Sequence, residues 1–355
     1  MKEFLSIASH FIEEALIAEI APMGNGLIND TYRVRTHGEQ TPDYVLQRIN
    51  NSIFTDVALL QHNIEAVTRH IRQKLVARGE QDIDRKVLRF LPVRGGEETF
   101  FQTDDGKYWR MSVLIPRSHT VERVDAETSG FAGVAFGEFE SMLTDLPEQL
   151  GETIPDFHNM ELRSRQLREA VAQDAAGRMA EVADFVSEVE RHSEAMCQAE
   201  QLHREGKLPK RVCHCDTKVN NMLFDEDGSV LCVIDLDTVM PSFVFSDFGD
   251  FLRTAANTVA EDDPNIDQVD FRMDIYEAFR EGYLHSAEGF LTPLERELLP
   301  YAAALFPYMQ CVRFLADYIN GDTYYKTKYP EHNLVRAKNQ WRLFEQACKR
   351  LQLDL

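Results

Sequence analysis

Residues 211–237 read RVCHCDTKVNNMLFDEDGSVLCVIDLD. Two short apolar runs, Met222–Phe224 and Val230–Ile234, flank the turn signal Asp225-Glu226-Asp227-Gly228-Ser229, which predicts a β-hairpin. A hairpin centred on Gly228 sets Asn221 opposite Asp235, an amide oxygen beside a carboxylate at the open end. Two oxygen donors with coordination positions to spare suit Mg2+, which keeps waters and takes further ligands from phosphate. Asp216 precedes Asn221 in the loop entering the hairpin, with Lys218 between them. Such an aspartate can orient a hydroxyl and accept its proton, and the lysine can offset charge on a transferring phosphoryl. Each element alone has a bland reading, since loop aspartates cap turns and acid–amide pairs are often plain hydrogen bonds. The ordered set His214-x-Asp216-x-Lys218-x-x-Asn221, followed by a hairpin returning to Asp235, points to phosphoryl transfer, where positioning and charge compensation dominate.

The 355 residues carry a formal net charge of −21, which argues against a nucleic-acid or anionic-membrane partner. Hydrophobic residues make up 44% and charged residues 27%, as expected for a folded globular chain of one large or two ordinary domains. Glu3, Glu13, Glu14 and Glu19 interrupt the apolar positions of the start, so no secretory signal is expected there. Tyr301–Ile319 contains Pro307, Gln310, Arg313 and Asp317, so no membrane span is expected either. Six scattered cysteines read as free thiols in a reducing, cytoplasmic setting. Cys213 and Cys215 flank His214, but in an extended segment they face away from it, which disfavours a zinc site.

The organisation is α+β. Thr31–Thr36 and Tyr44–Ile49 are β-rich, Phe54–Ala77 has helical periodicity, and Glu98–Thr103 with Tyr108–Ile115 predicts a hairpin around Asp104-Asp105-Gly106. These build a small antiparallel-sheet lobe over residues 1–115. Residues 116–355 read as mostly helical: 128–143, one apolar stripe from Met179 to Leu202, 266–285, 293–320 and 334–351. Gly24-Asn25-Gly26, ahead of the second β-rich segment's partner strand, is a turn whose backbone N–H groups could approach phosphates.

The spacing from His214 to Asn221 is that of the protein-kinase catalytic loop. With the Ile234-Asp235 motif after it, the chain resembles the aminoglycoside phosphotransferase/choline kinase superfamily. The resemblance implies a bilobal protein-kinase-like fold with Asp216 as base and Asn221 and Asp235 as Mg2+ ligands. It also implies ATP as co-substrate, with the backbone near Ile115 meeting adenine. Asp247-Phe248-Gly249 then imitates a metal motif, since Asp235 fills that role; Asp247 and Asp250 are expected to brace the catalytic loop. Where kinases carry a strand lysine paired with a helix glutamate, this chain has Gln47, with Arg48 adjacent and Glu65 on the following helix.

GNGLINDTY, QRINNSIF, IDLDTVMP, DFGDFLR, RFLADY and KYPEHNLVR are similar to segments of the N-acetylhexosamine 1-kinases. Cys215 departs from the H-N-D of that group. This likeness implies phosphorylation of the anomeric hydroxyl of N-acetylglucosamine or N-acetylgalactosamine, with Asp216, Arg313, Asp317 and Tyr324 contacting the sugar. On the residues alone Arg313 and Asp317 are an i,i+4 pair, and a kinase for another small alcohol or a regulatory pseudokinase stays open, as does the oligomeric state.

Overall fold

The computed structural model describes residues 2–24, 28–38 and 41–355. It divides into two compact units, and the chain enters the first of them three times. That unit comprises Met1–His119, Asp145–Pro155 and Met222–Met240; the second comprises Thr120–Thr144, Asp156–Asn221 and Pro241–Leu355.

The first unit is built on five antiparallel strands: β1 (Ile17–Pro22), β2 (Asp30–Thr36), β3 (Tyr44–Ile49), β4 (Phe100–Gln102) and β5 (Tyr108–Val113). Their order is β1-β2-β3-β5-β4. Strand β1 escapes the sequence pattern because it is half exposed and a bulge between Ile17 and Glu19 breaks its period-2 alternation. One sheet face packs Val34, Tyr44, Leu46, Trp109 and Met111 against Ile7 and Ala8 of helix α1 (Lys2–Ala8) and against Phe11 and Ile12. Thr31, Gln47 and Arg110 pair across β2, β3 and β5, so they form a polar row on the opposite face. Helix α2 (Val57–Ala77) starts three residues later than its apolar pattern because Asp56 caps it, accepting from Leu59 N at 2.9 Å. Its buried stripe is the expected Val57, Leu60, Ile64, Val67 and Ile71.

The decisive hairpin is present as β6 (Met222–Phe224) and β7 (Val230–Val233), turning through Gly228 at φ +84°. Its register pairs Met222 with Val233 and Leu223 with Cys232, and shifts before Phe224 and Val230. The direct opposition of Asn221 and Asp235 expected from a turn centred on Gly228 is therefore not what this register provides. Asp235 follows the strand in the left-handed region, at φ +61°, ψ +54°.

The second unit is helical. It contains α3 (Ala126–Met142), α4 (Met160–Gln173), α5 (Met179–Glu190), α6 (Phe245–Ala255), α7 (Met273–Ala287), α8 (Leu299–Ile319) and α9 (His332–Leu351). Helices α3 and α7 approach until backbone meets backbone. A Cβ on Gly133 would lie 2.2 Å from Phe279 O and 2.7 Å from Tyr283 N, and one on Gly282 would lie 2.2 Å from Gly130 O. Only glycine permits that spacing. The stripe from Met179 to Leu202 is one face but three helical pieces, Met179–Glu190, Ser193–Met196 and Gln198–Arg204. The interruptions fall beside Val189 and Met196, whose carbonyls accept from the Tyr308 and Tyr301 hydroxyls at 2.9 and 2.7 Å. Helix α6 is buried without a break from Phe245 to Leu252, its polar Ser246, Asp247 and Asp250 included. Among the described residues no helix is long and apolar enough to cross a membrane.

Candidate active site

The loop carrying Asp216 is shaped by its own backbone donors. Asp247, on α6 and fully buried, accepts from His214 N at 2.8 Å and Cys215 N at 2.7 Å. Two converging amides force a tight bend, and Cys215 sits in the left-handed region at φ +63° to make it. The Thr217 hydroxyl donates to Asp247 O at 2.8 Å, so one residue fixes two consecutive loop positions, His214 and Cys215, and Thr217. His214 is buried between the edges of Phe136 and Phe139, and its Nδ1 accepts from Asp216 N at 3.2 Å. The bracing expected of Asp247 is thus its observed geometry.

Burial and the charge of Asp247 push the Glu140 carboxyl well above its usual range. The Tyr283 hydroxyl donates to it. Burial likewise raises Asp247, against the opposing pull of His214 and the loop amides. Glu140, Cys213 and Asp247 offer ligand atoms within 4.8 Å of one another, the one such cluster among the described residues. Its members already serve the loop and the packing, with Cys213 Sγ donating to Phe243 O at 3.3 Å.

Lys218 Nζ lies 3.0 Å from Asp216 Oδ2, and both side chains keep partial access to solvent. The Asn221 amide nitrogen donates to Asp216 O at 2.8 Å, which leaves its oxygen, with no donor on it among the described residues, as a ligand position. Asp250 is buried, which pushes its carboxyl up. Arg253 beside it, with His158 and Lys218, outweighs this and holds it below the usual range. Arg253 Nε contacts Asp250 Oδ1 at 3.0 Å.

Asp235 belongs to the first unit, where the turn that follows it is tied down at several points. The Asp237 side chain is 4% exposed; its Oδ1 meets Arg110 Nη2 at 2.6 Å and its Oδ2 accepts from Asn29 Nδ2 at 2.6 Å. Both carboxylate oxygens are thereby committed. The Asp237 carbonyl accepts from the Thr153 hydroxyl at 2.9 Å, and Val239 O accepts from Asn63 Nδ2 at 2.9 Å. Asn221 offers an amide oxygen and Asp235 a carboxylate, and oxygen donors without thiol or imidazole are the ligand type that suits Mg2+.

Of the residues expected to meet the nucleotide, Gly24 has φ +72°, while Asn25 and Gly26 lie outside the described residues. Gln47 donates to Thr31 Oγ1 at 3.2 Å and accepts from Arg110 Nε at 3.0 Å. Glu65 accepts from the Thr99 hydroxyl. Arg48 lies on the other sheet face, pairs with Asp30 at 2.5 Å, and is 42% exposed. The cation beside Gln47 is therefore Arg110, on the neighbouring strand, with the Phe90 ring 5.2 Å from its guanidinium. Strand β5 stops at Val113, and Ile115 O accepts from the Ser118 hydroxyl at 2.9 Å.

At the C-terminal end of α8, Asp317 does not pair with Arg313. It is buried, and its oxygens accept from Tyr324 N at 2.8 Å, Tyr325 N at 2.9 Å, Thr323 N at 3.0 Å and Asn333 Nδ2 at 2.9 Å. Its work is to fold the loop that presents Tyr324, which is 66% exposed. Arg313 lies 5.6, 5.9 and 5.6 Å from the rings of Phe157, Tyr324 and Tyr325, and bonds Gln310 Oε1 at 3.2 Å. Arg163, unremarked in the sequence, joins it: burial, then the charge of Arg313, push its pKa down to about 10. Burial takes the neighbouring His158 down to about 3, so it is neutral.

A family description of phosphotransferase enzymes (APH) matches residues 19–301. The chain belongs to that phosphotransferase family. Solved structures share its fold along almost the whole length. Amicoumacin kinase hAmiN, seen with AMP-PNP and Ca2+, aligns at 13% identity and TM-score 0.63 over 98% of this chain and 93% of its own. A microcompartment-associated aminopropanol kinase aligns at 16% and 0.63 over 99% and 97%. A choline/ethanolamine kinase family protein from Mesorhizobium loti aligns at 16% and 0.58 over 99% and 95%. The protein-kinase-like fold of this phosphotransferase is thereby established: a five-stranded antiparallel sheet and a helical unit.

Proposed function

We propose that this phosphotransferase moves the γ-phosphoryl group of ATP to the anomeric hydroxyl of an N-acetylhexosamine, GlcNAc or GalNAc, giving a sugar 1-phosphate. The observation that carries the acceptor class is Arg313 with Arg163. Neither has a carboxylate partner within 4 Å among the described residues, and both sit among Phe157, Tyr324 and Tyr325. Two buried or half-buried guanidiniums repel an ammonium group, as in an amino alcohol, and favour a neutral ligand rich in oxygen acceptors. Aromatic rings beside hydrogen-bond donors suit a pyranose.

In this reading Asp216 orients the hydroxyl and takes its proton, and Lys218, already 3.0 Å away, offsets the charge that develops on the phosphoryl. An anomeric hydroxyl is more acidic than an ordinary alcohol, so a carboxylate suffices as base. Asn221 and Asp235 are the residues that would hold Mg2+, which supplies charge neutralisation on the phosphates. Residues 1–115, with the Gly24-Asn25-Gly26 segment, Gln47, Glu65 and the backbone at Ile115, serve the nucleotide. Residues 116–355 serve the acceptor through Arg313 and Tyr324.

The net charge of −21 favours a second reading, a kinase for a cationic small alcohol. An acceptor panel separates the two. ADP release is followed with GlcNAc, GalNAc, choline, an amino alcohol and an aminoglycoside. Turnover with the N-acetylhexosamines and none with the cations is the expected pattern; the reverse pattern establishes the second reading. Asp216→Asn should remove turnover in either case.

A further inference from the structure

The strand that would carry a phosphate-facing lysine carries Gln47, and the nearest cation is engaged elsewhere. Arg110 is 2% exposed, held at Nε by the Gln47 carbonyl and committed through Nη2 to Asp237. Asp237 lies two residues past Asp235. Between them the backbone passes through the left-handed conformation of Asp235, φ +61°, into a single 3₁₀ turn, Leu236–Thr238. A non-glycine residue persists there only when its surroundings over-determine it. Here they do. Arg110 and Asn29 hold the Asp237 side chain, Thr153 holds its carbonyl, and Asn63 on α2 holds Val239 O.

We propose that Gln47–Arg110–Asp237–Asn29 is a positioning network that fixes the turn bearing Asp235 for metal binding, in place of a lysine–glutamate pair. The proposal rests on the reading of Asp235 as a Mg2+ ligand. Asp237 is assigned to holding the turn, since Arg110 and Asn29 meet its two oxygens. The sheet's cation contributes by setting the angle of a carboxylate, and does not itself meet phosphate. Gln47 is then the fitting residue on its strand: a neutral amide accepts from Arg110 and donates to Thr31, whereas a lysine there would face the guanidinium as a like charge. Burial makes the arrangement all-or-none, since a buried ion pair deprived of one partner leaves an uncompensated charge.

The test measures metal affinity apart from turnover. Mn2+ replaces Mg2+, and unbound Mn2+ is counted by electron paramagnetic resonance with the full chain and AMP-PNP. Wild type is compared with Asp235→Asn, Arg110→Met, Arg110→Lys and Asn29→Ala. Melting curves confirm that each variant is folded at the assay temperature. Partners that orient a metal ligand are typically worth about 10- to 100-fold in metal affinity, so Arg110→Met should weaken Mn2+ binding by at least ~10-fold. Arg110→Lys should recover part of this and Asn29→Ala should lose less. In turnover assays kcat at saturating Mg2+ should fall less than the Mg2+ requirement rises. A folded Arg110→Met with wild-type Mn2+ affinity, beside an Asp235→Asn that has lost it, overturns the network. Wild-type affinity in Asp235→Asn overturns the ligand assignment beneath it. Should Arg110→Met fail to fold, Asn29→Ala and Gln47→Leu decide the matter, and unchanged affinity in both refutes the proposal.

Discussion

Asp247→Asn isolates the bracing of the catalytic loop from the chemistry. The substitution keeps size and shape but turns one of two acceptors into a donor. One oxygen can still accept from Cys215 N, at the present 2.7 Å. The new NH2 then faces His214 N, now bonded at 2.8 Å. A hydrogen bond to a charged group is worth about 1.5–3 kcal/mol, and stranding a buried donor costs about 1–3 kcal/mol. Part of this is offset, because a neutral amide avoids burying a carboxylate whose pKa burial already raises. The net loss is ~2–4 kcal/mol, concentrated at the bend that orients Asp216. The loop relaxes before the domain unfolds, so the effect falls on catalysis. A base displaced by up to ~1 Å costs about 100-fold in rate. Steady-state kinetics with ATP and the preferred acceptor should show kcat reduced by that order and KM for ATP within about threefold of wild type. Urea denaturation measures the stability change. A kcat within threefold of wild type in a folded Asp247→Asn would refute the reasoning, because the loop would then hold its shape without its brace.

Three further outcomes follow from the same geometry. Glu140 is raised well above the ordinary carboxyl value of 4.5 by burial and by Asp247, so the folded chain keeps a proton that the unfolded chain releases near that pH. The stability this gives is full below pH ~4.5 and declines as pH rises toward the folded pKa. Glu140→Gln, which still accepts from Tyr283, should flatten that decline above pH ~4.5 in chemical denaturation, and an unchanged slope would remove Glu140 from the account. Gly133→Ala would set a methyl 2.2 Å from Phe279 O and should destabilise by at least ~1–3 kcal/mol, seen as a lower denaturation midpoint; a neutral result would mean α3 and α7 can part freely. Arg313→Leu should raise acceptor KM at least ~10-fold with ATP KM unaffected, as for loss of a charged hydrogen bond, whereas equal effects on both substrates would place Arg313 outside the acceptor site.

The hairpin and the spacing from His214 to Asn221 were legible because they are local in sequence and their residue types are chemically restrictive, whereas the brace at Asp247, 33 residues from His214, was expected from the family resemblance. Register was less so: a turn centre fixes it only to within one residue, and the bulge before Phe224 moved it. Strand β1 was hidden by a bulge at a half-exposed edge. Helix α4 did leave a signal, Met160, Ser164, Leu167 and Ala170 at helical steps, diluted by an otherwise charged surface. Asn29, Asn63 and Arg110 could not be found from local pattern at all. Each acts on a turn more than 100 residues away in sequence, and nothing in an isolated Asn or Arg announces such a partner.

The central claim is the transfer of a phosphoryl group to a sugar 1-hydroxyl. Phosphorus NMR of the purified protein with ATP, Mg2+ and N-acetylglucosamine tests it most directly, run beside galactosamine, glucose and choline. The account predicts a new sugar 1-phosphate resonance, split by its anomeric proton, with N-acetylglucosamine and absent when Asp216 is replaced by Asn. A product resonance with choline and none with the sugar, or no product from any acceptor, would contradict it.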